Sequence, residues 1–432
     1  MKPLTVIVVC AALALGSSRL FADNWPSWRG PTGNGLSAEK NLPAEWSPSQ
    51  NIAWKLPLPG PAGATPVVWD KQIFLTSVND ASELLLMAIG TDGKQQWQQV
   101  VSVGNQKARG DEGNSASPSP VTDGKHVWTF MGEGTLACYT VEGKEVWKFN
   151  VQDRYGKFSI QFGMSSTPVL DGGVLYLQLI HGDGDAKTRE ACVVAIDGAT
   201  GKQVWRADRP SDANGENEHS YASAMLYQDG DKKFLLTHGA DVIIAHDLKD
   251  GHELWRCGGL NRRDDPSLGY DVTLRFVASP VAVPGLIIAP SAKQHPILCI
   301  KPDGKGDITN EASLHVWSWK KTPDVPTPVI VDDLAYLCME NGNVTVLEAM
   351  TGKEVYTVMT HRQKHRASPV YADGKLYLTA RDGKVHVLQA GREFKILAVN
   401  DLEEDQSSSP AISNGTIYMR TFGHHWAIRL KK

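Results

Sequence analysis

Four short stretches carry residue types that could do chemistry. Residues 181–190, HGDGDAKTRE, alternate Asp183 and Asp185 as a calcium loop does, but an EF-hand loop needs an oxygen ligand at its fifth position and Gly at its sixth. Lys187 and Thr188 stand there, so a hairpin loop is expected. Residues 163–168, GMSSTP, open like a nucleophile elbow around Ser165, yet Thr167 replaces the closing Gly and a strand opening follows, so Ser165 reads as structural. His424 and His425 are neighbours in an apolar run. Consecutive strand residues point to opposite faces and do not share a metal. HRQKHR at 361–366 is the densest basic cluster and reads as a solvated loop, as does Arg381 in the turn of RDGKVHVL. No metal site and no catalytic constellation is expected.

The elements that would position such residues come from an internal repeat. A small residue, Pro and Val open a turn and an apolar strand at TPVVWDKQIFL (65), SPVTDGKHVWT (119), TPVLDGGVLYL (167), SPVAVPGLIIA (279), TPVIVDDLAYL (327), SPVYADGKLYL (368) and SPAISNGTIYM (409). A degenerate copy, SAMLYQDGDKKFLL from 223, makes eight. A second phrase follows each first phrase where chain remains: GTDGKQQW, TVEGKEVW, DGATGKQVW, DLKDGHELW, KPDGKGDI, EAMTGKEVY and QAGREFK. Strand, Gly-containing turn and strand in each phrase give four short strands per repeat. The closest Pro positions, 328, 369 and 410, lie 41 residues apart, the length of one propeller blade. The eighth repeat ends with the chain before its last strand. NIAWKLPLP at 51 aligns with KQVWRADRP at 202, so the first strand is expected to complete the last blade and close the ring without a free edge. The expected fold is all-β, a single eight-bladed β-propeller of four-stranded antiparallel blades over residues 51–432, after a 23–50 leader segment.

One large ring falls at a constant place in each repeat: Trp54, Trp97, Trp147, Trp205, Trp255, Tyr356 and Phe394, with Trp317 or Trp319 in the fifth. Such a series is what packing between blades demands. Polar residues gather instead before each first strand (Asn114, Gln161, His219, Arg275, Arg366, Gln406) and after each second strand (Glu133, His181, Asp241, Lys293, Glu340, Arg381, His424). In a propeller these places face the axis. Mixed charges there either orient a small polar or anionic ligand or satisfy one another in a water-filled channel. The candidate ligand-binding residues are His181, His219, Arg275, Lys293, Glu340, Arg366, Arg381 and His424.

The phrase Ala195-Ile-Asp-Gly-Ala-Thr-Gly-Lys-Gln-Val-Trp205 resembles the docking motif A-x-D-x-x-T-G-K-x-x-W of the pyrroloquinoline quinone (PQQ)-like β-propeller repeat family, and the likeness runs from about residue 51 to the C-terminus. Residues 24–37, NWPSWRGPTGNGLS, look like the leader of an exported bacterial branch. The resemblance implies the fold and leaves two functions: non-catalytic scaffolds of the outer membrane, or dehydrogenases that hold PQQ with calcium. The sequence has no adjacent Cys pair and no C-x-x-C-H haem motif. A binding or scaffold propeller without a cofactor is therefore expected, acting as a monomer on a protein or small polar ligand of the cell envelope.

Lys2, the apolar run Leu4 to Leu15 and Leu20-Phe-Ala22 read as a cleavable export signal over 1–22. The apolar run is shorter than the ~20 residues of a spanning helix, so no membrane anchor is expected. Past residue 22, 42 Lys plus Arg stand against 48 Asp plus Glu, which argues against a nucleic-acid partner. Of the six cysteines, the five past residue 22, an odd number without close pairs, argue against a disulfide framework.

Overall fold

The computed structural model describes residues 24–108, 113–182, 191–261, 271–293 and 295–431; the expected export signal and most of the 181–190 loop lie outside them. Eight antiparallel sheets follow one another around an axis, seven of them running from the inside outward in chain order. Blade 1 is Val67–Trp69, Gln72–Val78, Glu83–Gly90 and Gln95–Val103. Blades 2 to 7 repeat this order, their first strands beginning at Val121, Val169, Met225, Val281, Val329 and Val370. Blade 8 takes Ala411–Ser413, Thr416–Arg420 and His424–Ile428 from the end of the chain, and its outer strand, Ile52–Pro57, from the beginning. Two short strands add to this plan: Gly306–Asp307 lies parallel on the outer strand of blade 4, and Leu36–Ser37 parallel on the inner strand of blade 7.

Middle strands are buried almost without alternation because both faces of each blade are covered by neighbours. The Gln72–Val78 strand is buried from Ile73 onward, whereas the outer strand Ile52–Pro57 alternates between half-buried and exposed. Burial on two faces removes the alternation that a half-exposed sheet would show.

The small residue before each Pro proves to be a connector. Thr65 N–H donates to Ser119 Oγ (2.9 Å), Ser119 N–H to Thr167 Oγ1 (3.1 Å), Thr167 N–H to Ser223 Oγ (2.9 Å) and Ser223 N–H to Ser279 Oγ (2.9 Å). Ser279, Thr327 and Ser368 continue the series as far as Ser409 Oγ. A belt of hydroxyls thus links the eight inner strands in sequence and satisfies one buried N–H at each of seven boundaries. The belt opens where the ring closes, since Thr65 Oγ1 is buried without a partner.

The phrase repeated along the chain does two jobs. Its Trp reaches the turn of the next blade, and its Gly receives the Trp of the blade before. A Cβ on Gly93, Gly143, Gly201, Gly251, Gly304 or Gly352 would stand 2.5 to 2.9 Å from the ring of Trp54, Trp97, Trp147, Trp205, Trp255 or Trp317 respectively. Trp317 therefore fills the slot in blade 5. The indoles of Trp54, Trp97, Trp147, Trp205 and Trp317 also donate to carbonyls of those turns, at 2.8 to 3.0 Å. Tyr356 meets Phe394 at 5.9 Å between centroids, and Phe394 is the exposed, weak end of the series.

The leader crosses the propeller. Trp25 pairs with Val68 of blade 1, and the Pro26 carbonyl accepts from Thr122 of blade 2. The fully buried Arg29 then donates to the carbonyls of Pro328 (3.2 Å) and Pro369 (2.9 Å), at the starts of blades 6 and 7. Farther on, the Glu39 carboxylate accepts from the Asn414 and Gly415 amides of blade 8. One mouth of the axial channel is covered by this crossing.

Candidate functional site

Trp28 of the leader divides the channel. Below it, between the leader and the inner strands of blades 2 to 5, lies a cavity of about 780 Å3. Above it, on the face carrying the loops that lead into each blade, an axial cavity of about 190 Å3 is ringed by all eight blades. Hydroxyls of the belt line that upper cavity, with Asn114, Phe162, Tyr221, Arg275 and Arg366 at its rim. Arg275 stacks over Phe162, its Cζ 4.9 Å from the ring centroid, and its Nη1 lies 3.5 Å from Glu216 Oε2. Tyr221 Oη accepts the Phe162 N–H at 3.2 Å, and burial holds its phenol far above the ordinary tyrosine range.

The eight candidate residues do not meet in one place. Arg275 and Arg366 alone line the axial cavity. Lys293 and Glu340 line a separate cavity of about 410 Å3 on the same face, between blades 5, 6 and 7. The other four sit at blade boundaries. His181 Nδ1 contacts the Gly182 carbonyl at 2.9 Å, and nearby His219 has its pKa lowered to about 4 by burial, then by His181 and Arg275. His424 Nδ1 lies 2.9 Å from Glu404, which also accepts from Thr421 and Gly423. Arg381, read from sequence as a solvated turn charge, is buried: its guanidinium lies over Phe422 at 4.2 Å, 3.7 Å from Asp405. The neighbouring aromatic face, invisible in a turn motif, explains the difference. In the basic stretch 361–366, His365 is buried and Arg366 half-buried, so half of the expected solvated loop packs inward.

A regular pattern joins these charges. The residue after the second strand of one blade pairs with a residue leading into the next: Lys293 with Asp324 (3.9 Å), Glu340 with Arg366 (3.2 Å), and Arg381 with Asp405 (3.7 Å). Asp324 escaped the sequence reading. It lies four residues before Pro328, as Gln406 lies four before Pro410, and that offset was the available signal. Burial first, then its hydrogen-bond contact with Glu340, push Asp324 up to about 6. Burial also pushes Glu340 up, but the Asp324 contact and the positive Arg366, Lys293 and Lys364 carry it net below the ordinary range. Of two carboxyl groups in such contact, one is driven up while its partner holds the charge.

Asp241, in the two-residue turn between the second and third strands of blade 4, is buried and neither oxygen has a hydrogen-bond partner of good geometry. Burial raises its pKa to about 7, Asp271 adding to the rise. Asp247, Asp250 and His252 bring three ligand atoms within 4.8 Å of one another on an exposed docking turn. There the His252 ring already contacts Asp250 at 2.6 Å, an arrangement that serves the turn.

The cofactor pair implied by the resemblance does not fit the axial cavity. Calcium takes roughly 6–8 oxygen ligands with carboxylates among them, and among the described residues the lining holds hydroxyls and two guanidiniums but no Asp or Glu. Its volume is also below the ~300–1,000 Å3 common for ligand and cofactor pockets.

Eight four-stranded blades joined by Trp-on-Gly docking turns define a PQQ-like β-propeller. The chain belongs to the family described as outer membrane protein assembly factor BamB, whose sequence model matches residues 91–266 and 132–310. Among solved structures it is similar to BamB from Moraxella catarrhalis, with a TM-score of 0.62 and 14% identity over 88% of this chain and 100% of that one. It is likewise similar to a europium-containing methanol dehydrogenase, with a TM-score of 0.69 and 11% identity over 93% and 90% of the two chains. At such identities the likeness is one of fold. No curated protein matches the chain. No helix among the described residues is long and apolar enough to cross a membrane.

Proposed function

We propose that the chain is a non-catalytic binding propeller of the bacterial cell envelope, a monomer that presents the loops and polar rim of its funnel face to a protein or small polar partner. The observation that carries this reading is the set of inter-blade ion pairs, Lys293–Asp324, Glu340–Arg366 and Arg381–Asp405. Each ties one blade to the next, so the rim is held as a rigid recognition surface. Coverage of the opposite mouth by the leader favours the same face. The family description, an assembly factor of outer membrane proteins, supports a protein partner, and the export signal read over residues 1–22 supports the envelope.

A photo-cross-linking residue placed at Asn341 on the funnel face, and another at Lys125 in a turn of the opposite face, tests the reading in intact exporting cells. The expected result is a discrete cross-linked species from Asn341 and none from Lys125. Cross-links confined to Lys125 would move the binding surface to the other face, and none from either would overturn the reading.

A further inference from the structure

The cavity between blades 5, 6 and 7 has the makings of a ligand site in its own right. Its volume, about 410 Å3, lies within the range common for small-molecule pockets, and it shares no lining residue with the axial cavity. Three blades supply its walls: Lys293 from blade 5, Lys321 and Asp324 from the segment leading to blade 6, Glu340 from blade 6, and Arg362 and Lys364 from the segment leading to blade 7.

Two kinds of group converge there. Asp324 and Glu340 sit in the wall with side chains only 12% and 19% exposed. Their carboxyls are in contact, and each is anchored from one side by Lys293 or Arg366. Four cations stand around them, and two of these, Lys321 and Arg362, are exposed and enter no ion pair among the described residues. Even with both carboxyls ionised, the cations lining the cavity outnumber the acids by two to one. The excess favours an anion, while fixed carboxyl oxygens with free lone pairs favour a hydroxyl donor. A ligand that meets both demands carries one charged group and several hydroxyls.

We propose that this cavity binds a small sugar bearing one oxyanion, a phosphate or a carboxylate, with the anion held by Arg362 and Lys321 and ring hydroxyls donated to Asp324 and Glu340. Guanidinium meets a planar carboxylate or a phosphate edge through two parallel N–H bonds, and the ammonium adds a point charge. The pairing of Glu340 with Arg366 keeps the hydroxyl-binding wall in place while the rim remains open.

Titration calorimetry on the protein without residues 1–22 tests this with four probes: galacturonate, glucose 6-phosphate, glucose and inorganic phosphate. At least one charged sugar is expected to bind about tenfold or more tightly than glucose or phosphate, more weakly as salt rises. The pair Lys321→Ala and Arg362→Ala should weaken that binding about tenfold or more without moving the thermal midpoint, because both side chains are exposed. Glu340→Gln should leave the charged sugar no tighter than inorganic phosphate. The proposal is overturned if neither charged sugar saturates the protein by about 10 mM, if phosphate alone binds as tightly as its sugar ester, or if binding survives the double substitution. The inference rests on the binding reading of the funnel face. Failure here with Asn341 cross-links intact removes only the ligand class, whereas loss of those cross-links removes the reading itself.

Discussion

Buried ionisable side chains carry most of what is unusual in this propeller at the scale of single residues. Arg29, Arg209 and Arg420 are fully buried, and burial lowers each to about 9, so all remain cations at neutral pH. Each spends its donors mainly on carbonyls across a seam: Arg209 on Gly239 and Val242 of blade 4, Arg420 on Thr76 and Gly60 beside blade 1, and Arg29 on blades 6 and 7. Asp241 is different, because no cation among the described residues pairs with it. Its pKa in the fold, about 7, lies above the ordinary 3.8, so the folded state holds the proton more tightly than the unfolded chain. The stability this lends is complete below about pH 4 and is lost as pH rises through 7. Asp241→Asn keeps a side chain that tolerates the positive φ of 62° at this turn. Chemical denaturation at pH 5 and pH 8 should show the variant gaining on the parent at the higher pH, by up to about 3 kcal/mol, since the two pH units from 5 to 7 count ~1.4 kcal/mol each. Equal gains at both pH values would show that Asp241 is ionised throughout.

At the scale of elements, the docking turn decides the packing, and its Trp and Gly form one interaction. Gly201 has φ of 67°, and a Cβ there would stand 2.7 Å from Trp147 Cδ2. Trp147→Ala should cost about 2–3 kcal/mol, somewhat below the value for a fully buried Trp since Trp147 is half-buried. Gly201→Ala should cost about 1–3 kcal/mol through the clash and the left-handed backbone. In the Trp147→Ala background the clash disappears, so Gly201→Ala should cost about 1 kcal/mol or less, measured by a double-mutant cycle in urea. Strict additivity would contradict the docking account. This interaction was largely legible beforehand, because a repeat writes the same solution eight times and the pattern outvotes any one degenerate copy. The closing strand was legible for the same reason, Trp54 aligning with Trp205. The site was not. Whether a polar loop residue points to the axis, to the next blade or to solvent depends on side-chain direction, which repeats constrain weakly. Arg381 turned onto Phe422, and Lys293 and Glu340 turned away from the axis toward Asp324. The hydroxyl belt was visible as Ser-Pro and Thr-Pro, but its partners lie 41 to 56 residues apart and follow only from the closed ring. The leader carried no repeat at all, so its path across the axis could not be read.

At the scale of the whole molecule, both ends of the chain serve the ring. Ile52–Pro57 closes blade 8, and the leader covers one mouth and puts Trp28 across the channel. What remains open is the funnel face, with its ion pairs linking successive blades from 5 to 8 and its sugar-sized cavity off the axis. The fold is shared with a methanol dehydrogenase as well as with an assembly factor, so the account stands or falls on whether this ring houses quinone chemistry. The direct measurement is thermal unfolding of the protein without residues 1–22 during titration with PQQ, in the presence and absence of calcium. A ligand at 100 times its dissociation constant stabilises its target by about 2.7 kcal/mol. The account predicts an unmoved midpoint in both series, since the axial cavity is small and has no carboxylate among the described residues of its lining. A saturable, calcium-dependent rise would contradict it and make the protein a quinone-dependent oxidoreductase.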